Sequence, residues 1–255
     1  MRRDALELER FYASRRGMVA KSMIERRLET IWPDLRDLDI LGLGYATPYL
    51  ADMRDSARRA VAFMPAGQGA IIEAGPSHTA MGDETHLPFP DALFDRVLVI
   101  HMLEEAESLQ AMLRETWRVL APEGRIVIVT AARAGAWALM DSTPFGHGRP
   151  FSRGQLTRLL GDAMFQTTAW SRALYVPPYN WAARMGLAKA WEHIGEKVWA
   201  SLGGVIMVEA VKRTGALHPP LRTAPARARV LEAPAQPALS PQQTSKDALK
   251  DRGQS

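Results

Sequence analysis

Two continuous apolar runs, VLVI at 97–100 and IVIV at 126–129, most constrain how this chain can fold. Successive side chains of a strand point to opposite faces, so a run without polar alternation belongs to a strand covered on both sides, as in a parallel sheet. Between the runs lies SLQAMLRETWRVL, where Leu109, Met112, Leu113, Thr116, Trp117 and Leu120 recur at helical spacing on one face. Strand, crossover helix and parallel strand make a βαβ unit. The expected fold class is α/β with a doubly wound, mostly parallel sheet.

The rest of the chain extends that pattern. Strand-like runs occur at LDIL (38–41), VAFM (61–64), AIIEA (70–74), FDRVLVI (94–100), RIVIVT (125–130), near 167–176, and at VIMVEAVK. Residues 4–13 and 18–31 read as helices, the second with Met23, Ile24, Leu28, Ile31 and Trp32 in one apolar stripe and Pro33 as its stop. Ser152 and Gln155 form a capping box at the head of a later helix, and a Trp-rich helix is expected from about 179 to 200. Residues 215–255 are rich in Ala, Pro, Gln and Ser and have few large apolar side chains, the composition of a disordered tail. A docking motif for a protein partner is a second reading of that tail. The expected organisation is an N-terminal helical segment at 1–36, a core domain at 37–214 and the tail.

Charge and composition narrow the function. The chain has no cysteine, which excludes disulfides, thiolate zinc sites and a cysteine nucleophile, and the spacing of His and carboxylates suggests no metal site. The net charge of +4 resides at the ends. Residues 1–30 carry eight Lys/Arg against five acids and residues 215–255 six against three, which leaves the middle of the chain at −2. A folded basic face for nucleic acid is therefore not expected. No apolar run is long enough to span a membrane, and MRRDALELER breaks into charge before a secretory core could form, so the expected location is cytoplasmic.

Residues 82–129 hold a dense set of signals: LPFPDALFD, a strand, HMLEEAES, a helix ending in RVLAPEGR, and another strand. In the turn, Pro122 stops the helix and Gly124 suits the left-handed conformation that such turns often require. This stretch resembles the middle of the class I S-adenosylmethionine-dependent methyltransferase family, of the methyltransferase type 11-like kind. With residues 38–50 and the last strands, the resemblance covers most of residues 1–214. It implies a seven-stranded Rossmann-like sheet and S-adenosylmethionine (SAM) as cofactor.

The resemblance also assigns candidate residues. Its first motif, acid-x-Gly-x-Gly-x-Gly, falls on DILGLGYATPYL, where Gly42 and Gly44 occupy the first two glycine positions and Ala46 the third. The acidic position is Ile40, with Asp39 one residue early and so on the opposite face of the strand. The acid that grips the ribose should fall in VAFMPAGQG, which has none; Gln68 can offer a neutral hydrogen bond there or simply serve its turn. Losing a charged hydrogen bond of about 1.5 to 3 kcal/mol weakens binding roughly tenfold to a hundredfold, without abolishing it. Asp83, or Glu84 beside it, stands where the family contacts adenine, and a turn-capping Asp is the alternative. Tyr12 covers the cofactor or packs between helices.

His101 ends the fourth strand and is read as a general base or as a histidine bonded to backbone. In STPFGHGRP, two glycines present His147 as a general base and Arg149 as the binder of an acidic acceptor, unless the loop is structural and both are solvated. The sequence thus points to a SAM-dependent methyltransferase for a small-molecule acceptor. The alternative is a catalytically inactive methyltransferase-fold protein that binds a partner protein or metabolite. A nicotinamide-dinucleotide dehydrogenase is excluded by the missing third glycine and ribose acid of that motif.

Overall fold

The computed structural model describes residues 2–71, 78–179, 191–192, 194–195, 202–214 and 229–230. Helix α1 (Ala5–Ala13) starts at Asp4, whose carboxylate accepts the Leu6 N–H, and helix α2 (Arg15–Ile31) starts at Ser14, whose hydroxyl oxygen accepts the Gly17 N–H. The corner between them is so tight that a Cβ on Gly17 would lie 1.9 Å from the Phe11 carbonyl oxygen. Next come strand β1 (Asp39–Gly44), helix α3 (Thr47–Arg54) and strands β2 (Arg59–Pro65), β3 (Thr79–Gly82) and β4 (Phe94–Ile100). Helix α4 (Leu109–Val119) leads to β5 (Leu120–Ala131), then α5 (Arg153–Asp162), β6 (Phe165–Ala173), β7 (Val205–Lys212) and the two-residue β8 (Arg229–Val230).

The sheet order is β3-β2-β1-β4-β5-β7-β6-β8, with β7 antiparallel to both neighbours and the other pairings parallel. Seven strands match the expectation, and β8 lies beside β6. Alternation along the strands divides the core. Ile40, Leu98 and Val127 face α1, α2 and α3, while Leu41, Val97 and Ile126 face α4 and α5. The chain reverses direction of travel across the sheet between β1 and β4, so the carboxyl ends of those strands open the crevice where ligands of such sheets bind.

Two local expectations change. Ala70 and Ile71 of AIIEA are irregular, residues 72–74 lie outside the described residues, and the third strand is Thr79–Gly82. In the RVLAPEGR turn Glu123, not Gly124, takes the positive φ of 57°; Gly124 is needed because a Cβ there would sit 2.7 Å from the Ala121 carbonyl oxygen. Of the Trp-rich helix, only residues 191–192 and 194–195 are described, and these are helical. Most of the expected tail also lies outside the described residues.

Asp39 resolves the displaced acid of the first motif. It is buried at the amino end of β1, far from the crevice, and its carboxylate accepts two hydrogen bonds from Arg58, at 3.0 and 2.6 Å. The guanidinium holds this carboxyl below the usual range. Its work is to tie the start of β1 to that of β2.

Candidate functional site

The glycine turn after β1 is shaped by close approach. Gly44 has φ +78°, and a Cβ there would come 2.3 Å from the Ile100 carbonyl oxygen; the Tyr45 N–H then donates to that oxygen at 3.1 Å. A Cβ on Gly42 would lie 2.6 Å from both Ala46 Cβ and Leu50 Cδ1, so that glycine lets α3 settle on β1. Ala46, by contrast, has φ −89° and ψ −10°. A methyl is harmless in that region, and the missing third glycine costs the turn nothing. No side chain caps α3 at Ala46; Pro48 has no N–H and the Tyr49 N–H donates to the Ala46 carbonyl at 2.9 Å, which leaves the Thr47 N–H at the head of the helix.

Residues 2–12 run across the mouth of this turn. Arg2 donates to Glu84 and forms an ion pair with it at 2.5 Å, and the Arg3 N–H donates to Glu105 at 2.8 Å. Tyr12 stacks on Tyr45 with centroids 5.7 Å apart, and its hydroxyl reaches Tyr49 at 2.9 Å and His101 Nε2 at 2.7 Å. Phe145 closes the other side of the His101 ring at 4.7 Å. What remains is a cavity of about 10 Å³, bounded by Arg3, Gln68, His101, Glu104, Glu105 and His147. That is room for about one water molecule.

His101 differs from the base expected of it. Its backbone φ of +52° turns the chain sharply at the end of β4 and buries the ring. Burial, assisted by the charge of Arg3, lowers its pKa to about 3, so the imidazole stays neutral and is a weak base. Gln68 donates through Nε2 to the His101 carbonyl oxygen at 3.1 Å, while its Oε1 is buried without a hydrogen bond. Glu104 went unnoticed in sequence. Its Oε1 accepts the Ala131 N–H at 2.9 Å, and burial raises its pKa. Only its place three residues after His101 could have drawn attention to it.

Other candidates are occupied elsewhere. Asp83 is exposed and caps its own turn, accepting from the Thr85 N–H at 2.8 Å and the Thr85 hydroxyl at 2.7 Å; these bonds lower its pKa. The capping alternative holds for Asp83, and Glu84 is the buried member of the pair, held by Arg2. The 142–150 loop is tied to its surroundings while Arg149 stays exposed: Arg149 donates from its N–H to the Glu104 carbonyl at 3.0 Å and from Nη2 to the Ala106 carbonyl at 2.9 Å. His147 Nε2 lies 2.6 Å from the Asp141 carbonyl oxygen and against the Arg3 guanidinium. Tyr12, on α1, packs edge-on against Tyr49 of α3 and against His101. No cluster that could hold a metal occurs among the described residues, and no helix among them is long and apolar enough to cross a membrane.

Sheet order, glycine turn and a rim of polar groups at β1, β2 and β4 define an α/β protein of the class I methyltransferase fold. Residues 38–128 match the model of a family described as a methyltransferase domain. Among curated proteins it is similar to malonyl-[acyl-carrier protein] O-methyltransferase 1 of Coxiella burnetii, 29% identical over 51% of this chain and 47% of the relative. A malonyl-[acyl-carrier protein] O-methyltransferase of Halorhodospira halophila is 32% identical over 48% and 47%. The chain spans about half the length of the curated relatives it matches. In fold it resembles a chain from the complex of the Haloferax volcanii Trm112 methyltransferase activator with a methyltransferase, at a TM-score of 0.57, 15% identity and coverage of 84% and 100%. A SAM-dependent methyltransferase of Thermotoga maritima gives a TM-score of 0.53 at 14% identity, with coverage of 80% and 94%.

Proposed function

We propose that this chain is a SAM-dependent methyltransferase acting on a small-molecule acceptor. The observation that carries the reading is the glycine cradle of Gly42 and Gly44 beside a rim holding an unpartnered buried acceptor on Gln68. These groups suit SAM. The Thr47 N–H at the head of α3 would take its carboxylate, and Gln68 Oε1 would accept from a ribose hydroxyl in place of the missing acid. Glu84, once released by Arg2, would be the acceptor on the adenine side. SAM supplies an activated methyl on a sulfonium, so the protein's part is to orient the acceptor in line and exclude water.

Volume sets a condition on this reading. Ligand clefts run to about 300–1,000 Å³, against about 10 Å³ in this cavity. Residues 2–12 must withdraw for the cofactor to enter. The rings of Tyr12, Tyr45 and Phe145 that fill the crevice favour a second reading, a methyltransferase fold that no longer binds SAM and acts by holding a partner. Calorimetric titration of the full chain with SAM and S-adenosylhomocysteine separates the two. The first expects dissociation constants in the micromolar range, whereas absence of heat and of thermal stabilisation at millimolar ligand supports the second.

A further inference from the structure

Between the last turns of α2, the 33–36 segment and the carboxyl end of α3 lies a cleft of about 400 Å³. That is within the range of small-molecule sites. Its floor is apolar, formed by Leu28, Trp32, Leu35, Tyr49 and Met53, none more than 9% exposed. The polar ends in that floor are already bonded, the Trp32 N–H to Glu209 at 3.3 Å and the Tyr49 hydroxyl with that of Tyr12 at 2.9 Å. The rim is acidic and carries Glu25, Glu29, Asp34 and Asp52. Two cations answer these four carboxylates: Lys21 Nζ is shared by Glu25 and Asp52, at 2.8 and 3.0 Å, and Arg36 pairs with Asp34 at 2.7 Å. Glu29 has no ion pair among the described residues. It stands in the last turn of α2, one turn after Glu25, where the helix dipole disfavours an acid and no basic residue offsets it. In a chain of net charge +4, the excess here is negative.

We infer that this cleft binds a small organic cation, an ammonium ion carried on an apolar body. The floor takes the body, because it offers hydrophobic surface and no free donor or acceptor. The rim takes the ammonium, whose N–H groups reach Glu29 and whose charge offsets the excess that Lys21 and Arg36 leave. An anionic ligand would meet like charge there, and a neutral one would leave the rim as it is. A polyamine lacks the apolar body, so only charge exposed to salt would hold it. The cleft lies at the carboxyl end of α3, whereas the glycine turn lies at its amino end, so the inference stands whether or not SAM binds.

The test titrates the full chain with three probes that share an indole body: tryptamine, a cation; tryptophol, which is neutral; and indole-3-propionate, an anion. Tryptamine should bind about tenfold or more tightly than tryptophol, and indole-3-propionate should bind most weakly. Spermidine, a cation without an apolar body, should bind about tenfold more weakly than tryptamine at physiological salt. Glu29→Gln should lower tryptamine affinity about threefold or more and leave that of tryptophol unchanged, and Glu29→Lys should erase the preference. Unchanged melting temperatures check that both variants fold. In the unaltered chain, tryptamine should slow hydrogen exchange at residues 25–36 and 49–56, which locates the site without any substitution. Equal binding of the three indoles, binding of none, or spermidine binding as tightly as tryptamine overturns the inference. So does a preference that survives Glu29→Lys, or protection that appears at residues 42–46 and 66–69 instead.

Discussion

Ala46 and Gly44 show how unequal neighbouring motif residues are. A sequence reading weighs a lost glycine at 46 against a kept one at 44, but only φ decides which matters, and φ is set by the close passage of the turn over β4. Gly44→Ala adds a Cβ 2.3 Å from a carbonyl oxygen at φ +78°. It should destabilise the protein by about 2 kcal/mol or more and lower the melting temperature by roughly 4–8 °C. An unchanged melt would mean that the turn is looser than described. His101 carries a pH signature. Its pKa is near 6.5 unfolded and about 3 folded; the unfolded state binds the extra proton between those values, so stability is full above pH 6.5 and is lost as pH falls toward 3. From pH 6 to 5 this histidine should cost about 1 kcal/mol. Melting curves of wild type and His101→Gln across pH 4 to 8 test it: the slope over that interval should be shallower in the variant, and parallel slopes would remove the buried neutral imidazole as the cause.

At the scale of elements, strands buried on both faces announced themselves, and β4 and β7 coincide with the runs read from sequence. Strand β3 did not, because TAMG lies at the sheet edge, where neither a continuous apolar run nor a strict alternation is required. AIIEA carried the stronger apolar signal but its described residues are irregular. The capping box of Ser152 and Gln155 was legible because both hydrogen bonds depend on local spacing alone, and both are present. Ser152→Ala should cost about 1 kcal/mol, read as a drop of roughly 2–4 °C in the melt; no change would show that tertiary packing of Leu156 and Leu160 alone holds α5. Helix α1 was visible as a helix, yet its use as a cover was not, since the contacts of Arg2 with Glu84 and of Tyr12 with His101 span 82 and 89 residues. Arg2→Ala should loosen the cover and raise the association rate of S-adenosylhomocysteine about tenfold. A stopped-flow rate equal to that of wild type would show that residues 2–12 do not gate entry.

For the whole molecule, one sheet supports two different rims. The amino ends of β1 and β2 are tied by Asp39 and Arg58, a structural pair that a pattern search mistakes for a displaced motif acid. The carboxyl ends bring together Gly44, Gln68, His101 and Glu104 from three separate stretches of chain, and Glu104, buried there, looked in sequence like one more acid in HMLEEAES. Fold class could be read because it depends on periodicity. Site chemistry could be read only in part, because it depends on which oxygen is left without a partner after folding. The account's central claim is that SAM binds at the carboxyl rim of β1, β2 and β4 when residues 2–12 move aside. Hydrogen exchange of the full chain with and without S-adenosylhomocysteine tests it most directly: the account predicts slower exchange at residues 42–46 and 66–69 together with faster exchange at residues 5–13, and unchanged exchange at all of them under saturating ligand would contradict it.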